Sequence, residues 1–160
     1  MLEGGMITNV VVTEPRWVAP ASPRGFSNRL TGSRIETAGR RGKYFDFALD
    51  DGASLVMHLR MTGNLLYLSE ASATPSAHLR GALLLDDGAA LAFTDPRRFG
   101  TAEIIDSPAA VDEYFAARLG PEPFDEDFTG DLLFRYTRKR KTSIKALFLY
   151  QKKIAGIVNI

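Results

Sequence analysis

Residues 45–59 read FDFALDDGASLVMHL, and the fold is decided by how this stretch is read. Phe45, Phe47 and Leu49 alternate with Asp46, Ala48 and Asp50. Leu55, Met57 and Leu59 then alternate with Val56, His58 and Arg60. A period of two sends successive side chains to opposite faces of an extended chain, so both halves are expected to be half-buried strands. Asp50-Asp51-Gly52 between them signals a hairpin, because glycine accepts the positive φ that such turns need. The arrangement recurs, since LDDGASL (Leu49 to Leu55) is echoed by LDDGAAL (Leu85 to Leu91) between further apolar runs. Two copies are too few for a solenoid. They are expected as two hairpins of one antiparallel layer system, within a β-sandwich or barrel-like domain of several short strands.

Working outward, Met6 to Thr13 is expected to be a strand on its β-branched content. Residues 19–32 are rich in Pro, Ser and Gly and read as a loop, with a short helix around Phe26 to Leu30. After about Asp106 the pattern turns helical. Pro108 to Leu119 is expected to be a helix, broken by Gly120-Pro121-Glu122-Pro123. Thr129 is placed to cap a helix from Gly130 to Arg138, with Asp131 in its first turn. Another helix starts near Thr142 or Ser143 and carries Ile144, Leu147 and Phe148 at helical spacing.

An apolar content of 45% supports a real core and argues against disorder. No apolar run approaches the roughly 18 residues of a membrane span, and the N-terminus lacks a secretory pattern. The chain has no cysteine, which removes disulfides and thiolate metal sites and accords with a reducing cytoplasm. The net charge of +1 conceals segregation. Arg135, Arg138, Lys139, Arg140, Lys141 and Lys145 form one basic group, and Arg24, Arg29, Arg34, Arg40, Arg41 and Lys43 a second. Many of the acids lie between Glu103 and Asp131. Segregated charge can present a basic face on a near-neutral protein.

Two tracts carry candidate chemistry. Lys139, Arg140 and Lys141 precede a helix N-terminus, where the dipole disfavours cations, and Lys145 lies one turn in. A solvated loop accounts for the run on charge alone; a nucleic-acid phosphate is the alternative. TDPRRFG (Thr94 to Gly100) places two arginines and an aromatic at the end of a strand. Arg97 and Phe99, with Met61, suit insertion into a base stack, while core packing also explains Phe99 and Met61 and a turn explains Asp95.

These tracts resemble bacterial formamidopyrimidine-DNA glycosylase. GRRGKYFDFAL, MHLRMTGNL, FTDPRRFG, LGPEPF, KRKTSIKALF and GIVNI occur in the family's order from about Leu2 to Ile160. The resemblance implies an α+β fold. Residues 1–106 would form a two-layer antiparallel β-sandwich domain and 107–125 a helix and linker. Residues 126–160 would begin a helix–two-turn–helix module. It implies base-excision repair of oxidised purines in double-stranded DNA, with base flipping and strand cleavage by β,δ-elimination. Lys43 falls on the family's catalytic lysine. His78, Arg97 and Arg140 fall on DNA-binding positions, with Arg140 in place of a usual lysine, and Lys145 and Asn159 on residues of the helical motif. Lys139 and Lys141 flank Arg140, and Arg80 takes the second place of a usual His-x-His. Met61, Arg97 and Phe99 fall on the wedge triplet.

The chain also departs from the family pattern. It opens MLEGGMITNV, where the family has its nucleophilic proline and neighbouring glutamate. Arg60 and Val158 stand where glycines are usual. The family's zinc site uses four cysteines that this sequence lacks, so no cofactor is expected here. The expectation is a monomer in the cytoplasm at the nucleoid, truncated at both ends and weak or inactive alone, or else a non-catalytic damaged-DNA binder. The apolar face with Leu147, Phe148 and Ile154 is expected to be exposed or to seek a partner.

Overall fold

A computed structural model of the chain describes residues 2–75 and 77–159. Eight strands form two antiparallel layers: β1 (Ile7–Val12), β2 (Ile35–Arg41), β3 (Tyr44–Leu49), β4 (Ser54–His58), β5 (Asn64–Leu68), β6 (Leu79–Leu85), β7 (Ala90–Thr94) and β8 (Thr101–Ile105). One sheet has the order β1-β6-β7-β5 and the other β2-β3-β4-β8. Four helices complete the described chain: α1 (Pro23–Leu30), α2 (Pro108–Ala116), α3 (Gly130–Thr137) and α4 (Ile144–Phe148). This is the α+β, two-layer architecture that the strand pattern and the resemblance implied.

The two echoed hairpins divide between the layers, with β3–β4 in one sheet and β6–β7 in the other. Their turns use the same device. Asp51 accepts from the Ala53 N–H and Asp87 from the Ala89 N–H, both at 3.0 Å, while Gly52 and Gly88 hold φ of 83° and 84°. A side chain that bonds two residues ahead and a glycine in left-handed backbone together fix the turn.

Between the sheets lies one apolar core containing Phe47, Leu55, Met57, Leu83, Leu91 and Phe93. Trp17, from a 3-10 turn at Pro15–Val18, stacks on Phe93 with centroids 5.4 Å apart, and Phe26 of α1 meets it at 5.8 Å. The β4 strand is buried on both faces because α2 covers the outer side of its sheet. There Val56 packs with Val111 and Phe115.

Some boundaries differ from the sequence reading. The first helix begins earlier than Phe26, at Pro23, because the Ser22 hydroxyl accepts from the Gly25 N–H and proline suits a first helical position. The α2 helix ends at Ala116 and α3 at Thr137, so each is shorter than expected. Leu147 and Ile154 are buried and Phe148 is half-buried, which corrects the expectation of an exposed face. Among the described residues after β8, Phe124, Phe134, Ile144, Tyr150 and Val158 are large apolar side chains that stay exposed.

Gly81 of β6 faces the Trp17 ring so closely that a Cβ there would sit 2.0 Å from the ring carbon Cζ3. Neither backbone nor indole can yield cheaply in a packed core. Gly81→Ala is therefore expected to lower the unfolding free energy by about 1–3 kcal/mol. Urea titration checks this as a lower midpoint at unchanged slope.

Candidate nucleic-acid interface

The strand register brings the candidate residues to one end of the sandwich. The pairs Tyr44↔His58 and His58↔Thr101 align one end of β3, β4 and β8, and Asn64↔Thr94 and Leu79↔Thr94 align the same end of β5, β6 and β7. Residues 59–63 cross from β4 in one sheet to β5 in the other, and residues 95–100 return from β7 to β8. Because β4 pairs with β8 and β5 with β7, the two crossovers must lie side by side. The β2–β3 turn with Lys43, and His78 just before β6, share this end. Both Asp-Gly turns are at the other.

The crossovers carry the wedge candidates in contact with one another. Met61 is 76% and Phe99 53% exposed. The Arg97 guanidinium lies 4.9 Å from the Phe99 ring centroid, and its Nη1 is 3.6 Å from the Met61 sulfur. Neither apolar side chain serves the core, so the packing explanation for both fails.

Beneath them Asp95 is 0% exposed. Its carboxylate accepts from the backbone N–H groups of Arg97, Phe99 and Gly100 at 3.1, 2.7 and 2.8 Å, and from the Thr62 hydroxyl of the other crossover. Burial pushes this carboxyl up, but the Thr62, Gly100, Phe99 and Arg97 donors outweigh it and hold it below the ordinary carboxylate range. Its backbone N–H donates to His78 O, and its carbonyl accepts from Arg80 Nε at 2.7 Å. Asp95 is thus far more than a turn residue, and Arg80 already has internal partners. Gly100 is required as well, since a Cβ there would sit 2.2 Å from Cζ of Phe93.

A cleft of ≈ 610 Å³ adjoins this end, lined by Lys43, His58 and Arg60 from the sheet side and by Phe124, Gly156 and Val158 from the helical segment. Asn159 follows on its rim and is exposed. Glu122 builds one wall. It holds Arg40 with two bonds, of 3.0 and 2.7 Å, and accepts from the Gly42 N–H at 2.7 Å, which fixes the turn that carries Lys43. The Arg40 bonds hold the Glu122 carboxyl low against burial. Sequence reading missed Glu122 and His58. A carboxylate between two prolines in GPEP was the available signal for the first.

His58 accepts the Arg60 N–H on Nδ1 at 2.9 Å, so its proton belongs on Nε2. Burial, and then the positive charges of Arg60 and Lys43, depress its pKa to about 4. It is neutral at physiological pH.

The structure sorts the cations. Arg29 pairs with Asp51 and Asp106, Arg40 with Glu122, Arg41 with Asp46 and Asp112, and Arg98 with Glu14. Half of the second basic group, Arg29, Arg40 and Arg41, is thus paired with acids. Lys139, Arg140, Lys141 and Lys145 are exposed and make no ion pair among the described residues. The α4 helix spans only Ile144–Phe148, and Ser143 Oγ already accepts from the Ala146 N–H at 3.2 Å. The free cations, rather than that short helix end, are what the region offers an anion. Among the described residues there is no cluster of three or more histidine or carboxylate side chains that could hold a metal ion. Among the described residues, too, no helix is long and apolar enough to cross a membrane.

Backbone strain follows the same map. The non-glycine residues with positive φ are Arg60, His78, Arg98 and Lys139, at 58°, 59°, 61° and 56°. Each lies in one of the tracts described above. Left-handed backbone costs a residue with a Cβ about 1–2 kcal/mol, and such strain gathers at functional sites.

Two four-stranded antiparallel layers, followed by short helices, define an α+β protein of the antiparallel sandwich class. A family model described as the formamidopyrimidine-DNA glycosylase N-terminal domain matches residues 1–102, and the chain belongs to that family. A formamidopyrimidine-DNA glycosylase of Chloroflexus aggregans is 45% identical over 146 residues, covering 91% of this chain and 52% of the relative. One of Acidiphilium cryptum is 39% identical over 161 residues, covering 99% and 56%. The solved complex of Lactococcus lactis Fpg with DNA containing Fapy-dG matches at a TM-score of 0.89 and 32% identity, over 99% of this chain and 59% of that one. The complex of the same protein with abasic-site DNA also gives 0.89. The chain spans about half the length of the curated relatives it matches.

The depressed His58 pKa has a consequence for stability. Between about pH 4 and 6.5 the unfolded chain binds this proton and the folded chain does not, so acid favours unfolding through that window. The stability advantage of the wild type over His58→Gln is expected to shrink as pH falls from 6.5 to 4. The change is on the order of 1 kcal/mol after allowance for solvent screening, read from urea midpoints across pH.

Proposed function

We propose that this chain serves base-excision repair of oxidised purines by holding duplex DNA from which the damaged nucleotide has swung out. The observation that carries the reading is the convergence of Met61, Arg97 and Phe99, exposed and touching, at the end of the sandwich where the Lys43 cleft opens. Extruding a base leaves a gap in the stack at a cost of a few kcal/mol, and inserted side chains repay part of it. A thioether, a ring and a guanidinium are suited to that gap. Lys139, Arg140, Lys141 and Lys145 supply phosphate contacts, joined by His78, Arg80 and Asn159. The Lactococcus lactis relative is solved with Fapy-dG and with abasic-site DNA, which supports this choice of partner. The chain acts as a monomer, without a cofactor of its own, in the cytoplasm at the nucleoid.

In this reading the extruded nucleotide enters the cleft. There Lys43 would give a proton to the sugar–phosphate oxygen that leaves in β,δ-elimination, once an amine has formed an imine with the opened abasic sugar, and neutral His58 presents its Nε2–H nearby. A second reading is a non-catalytic binder of distorted duplex, which the exposed Met61–Arg97–Phe99 group and the unpaired cations would serve without any chemical step.

The recognition step is tested by titration at fixed salt. Duplex with an abasic-site analogue is expected to bind at least about tenfold tighter than undamaged duplex, and equal affinities would remove the proposal. Lys141→Ala is expected to weaken both duplexes alike and to reduce the salt slope by about 0.9.

Chemistry is tested separately by borohydride trapping on duplex containing an oxidised guanine. The 160-residue chain is expected to give no adduct above a Lys43→Ala control. A strong adduct that survives Lys43→Ala would place the nucleophile elsewhere in the chain and exclude the non-catalytic reading.

A further inference from the structure

The three backbone N–H groups that Asp95 accepts come from its own tract, residues 97, 99 and 100. These local bonds suffice to shape the TDPRRFG turn. The fourth donor does not belong to that turn. The Thr62 hydroxyl arrives from the other crossover, 33 residues away in sequence. It follows directly on Met61, the side chain that Arg97 touches. Among the described residues, the other polar link between the two crossovers near the wedge candidates is that Arg97–Met61 contact, which is long and weak.

We propose that the Thr62–Asp95 bond is a latch that joins the two crossovers into one preassembled wedge, and that Thr62 and Asp95 are positioning residues for Met61, Arg97 and Phe99. The inference rests on the damaged-duplex reading for its purpose, though not for its existence. Met61 and Phe99 must enter one gap together. Two independent loops would each have to be ordered on binding, and a rigid pair avoids that entropic cost. An acceptor without solvent access suits the task, because water cannot compete for the bond and any donor it loses is not replaced. Thr62 itself is exposed, so its methyl contributes little to the core and its hydroxyl is the part with a defined partner.

Thr62→Val in the 160-residue chain removes the hydroxyl at nearly constant shape. Amide exchange by NMR on the DNA-free protein tests the latch alone. Exchange at Gly63, Phe99 and Gly100 is expected to accelerate together by roughly tenfold, and Thr62→Ser to restore it. Acceleration at Gly63 without Phe99 and Gly100 would show that the crossovers are not coupled and would overturn the latch. Titration tests its purpose. Affinity for abasic-analogue duplex is expected to fall roughly five- to tenfold in Thr62→Val, with affinity for undamaged duplex unchanged. Equal losses on both duplexes would make the bond structural only and overturn the positioning role. A wild-type chain that shows no preference for the abasic duplex would defeat the functional reading instead, and the exchange result would still decide the latch.

Discussion

One buried carboxylate holds the functional end together. Asp95 is cut off from water, and an ionised carboxylate there would be very costly without donors. Donors from two crossovers converge on it, while its own backbone reaches His78 and Arg80. The arrangement has no cheap alternative. Removing the charge leaves several N–H groups facing nothing, and moving either crossover leaves the charge short of donors. The surrounding loops can therefore expose a methionine and a phenylalanine without collapsing onto them.

Topology explains why the two crossovers meet at one end. Both Asp-Gly hairpins stay within a single sheet, so neither of those turns carries the chain from one layer to the other. The connections β4–β5 and β7–β8 change sheets, and their strands are neighbours in both layers. Two longer segments must then cross the same edge in contact. Side chains from distant parts of the sequence meet there as a result of register. The core stops beneath them at Phe93, against which Gly100 closes.

Much of the fold was legible because its signals are local. Alternation in 45–59 and the repeated LDDGA turn gave two hairpins, and Thr129 and Asp131 gave the start of α3. The missed strand β2 has its first residue buried and the rest exposed, which leaves no alternation to read. It is an edge strand, paired with β3 along its length and tied to residues 3–5 only at Ile35 and Ala38. The wedge candidates Met61, Arg97 and Phe99 were legible as side chains suited to a base stack, but core packing competed as an explanation, since nothing local says that Met61 and Phe99 are exposed. Thr62 was not legible, and Glu122 offered only its place between two prolines. Their roles are contacts across 33 and 82 residues of chain, and side-chain periodicity carries no information about those.

The division of cations carries the argument furthest. The chain's two basic groups look alike in composition, yet half of one is paired with carboxylates, while Lys139, Arg140, Lys141 and Lys145 of the other make no ion pair among the described residues. Arg29, Arg40 and Arg41 reach acids that lie in or beside the segment after β8, and so fasten the α2 and linker segment onto the sheets. Lys139, Arg140 and Lys141 meet no such acid, and Lys139 sits in left-handed backbone besides. Arrangements that leave like charges adjacent and strain their backbone do not stabilise a folded chain by themselves. They persist when the surrounding structure holds them, and they lower the free energy of the molecule only once an anion arrives. A polyanion with evenly spaced charges meets that condition, because it can neutralise the whole run at once and release its own counterions in doing so.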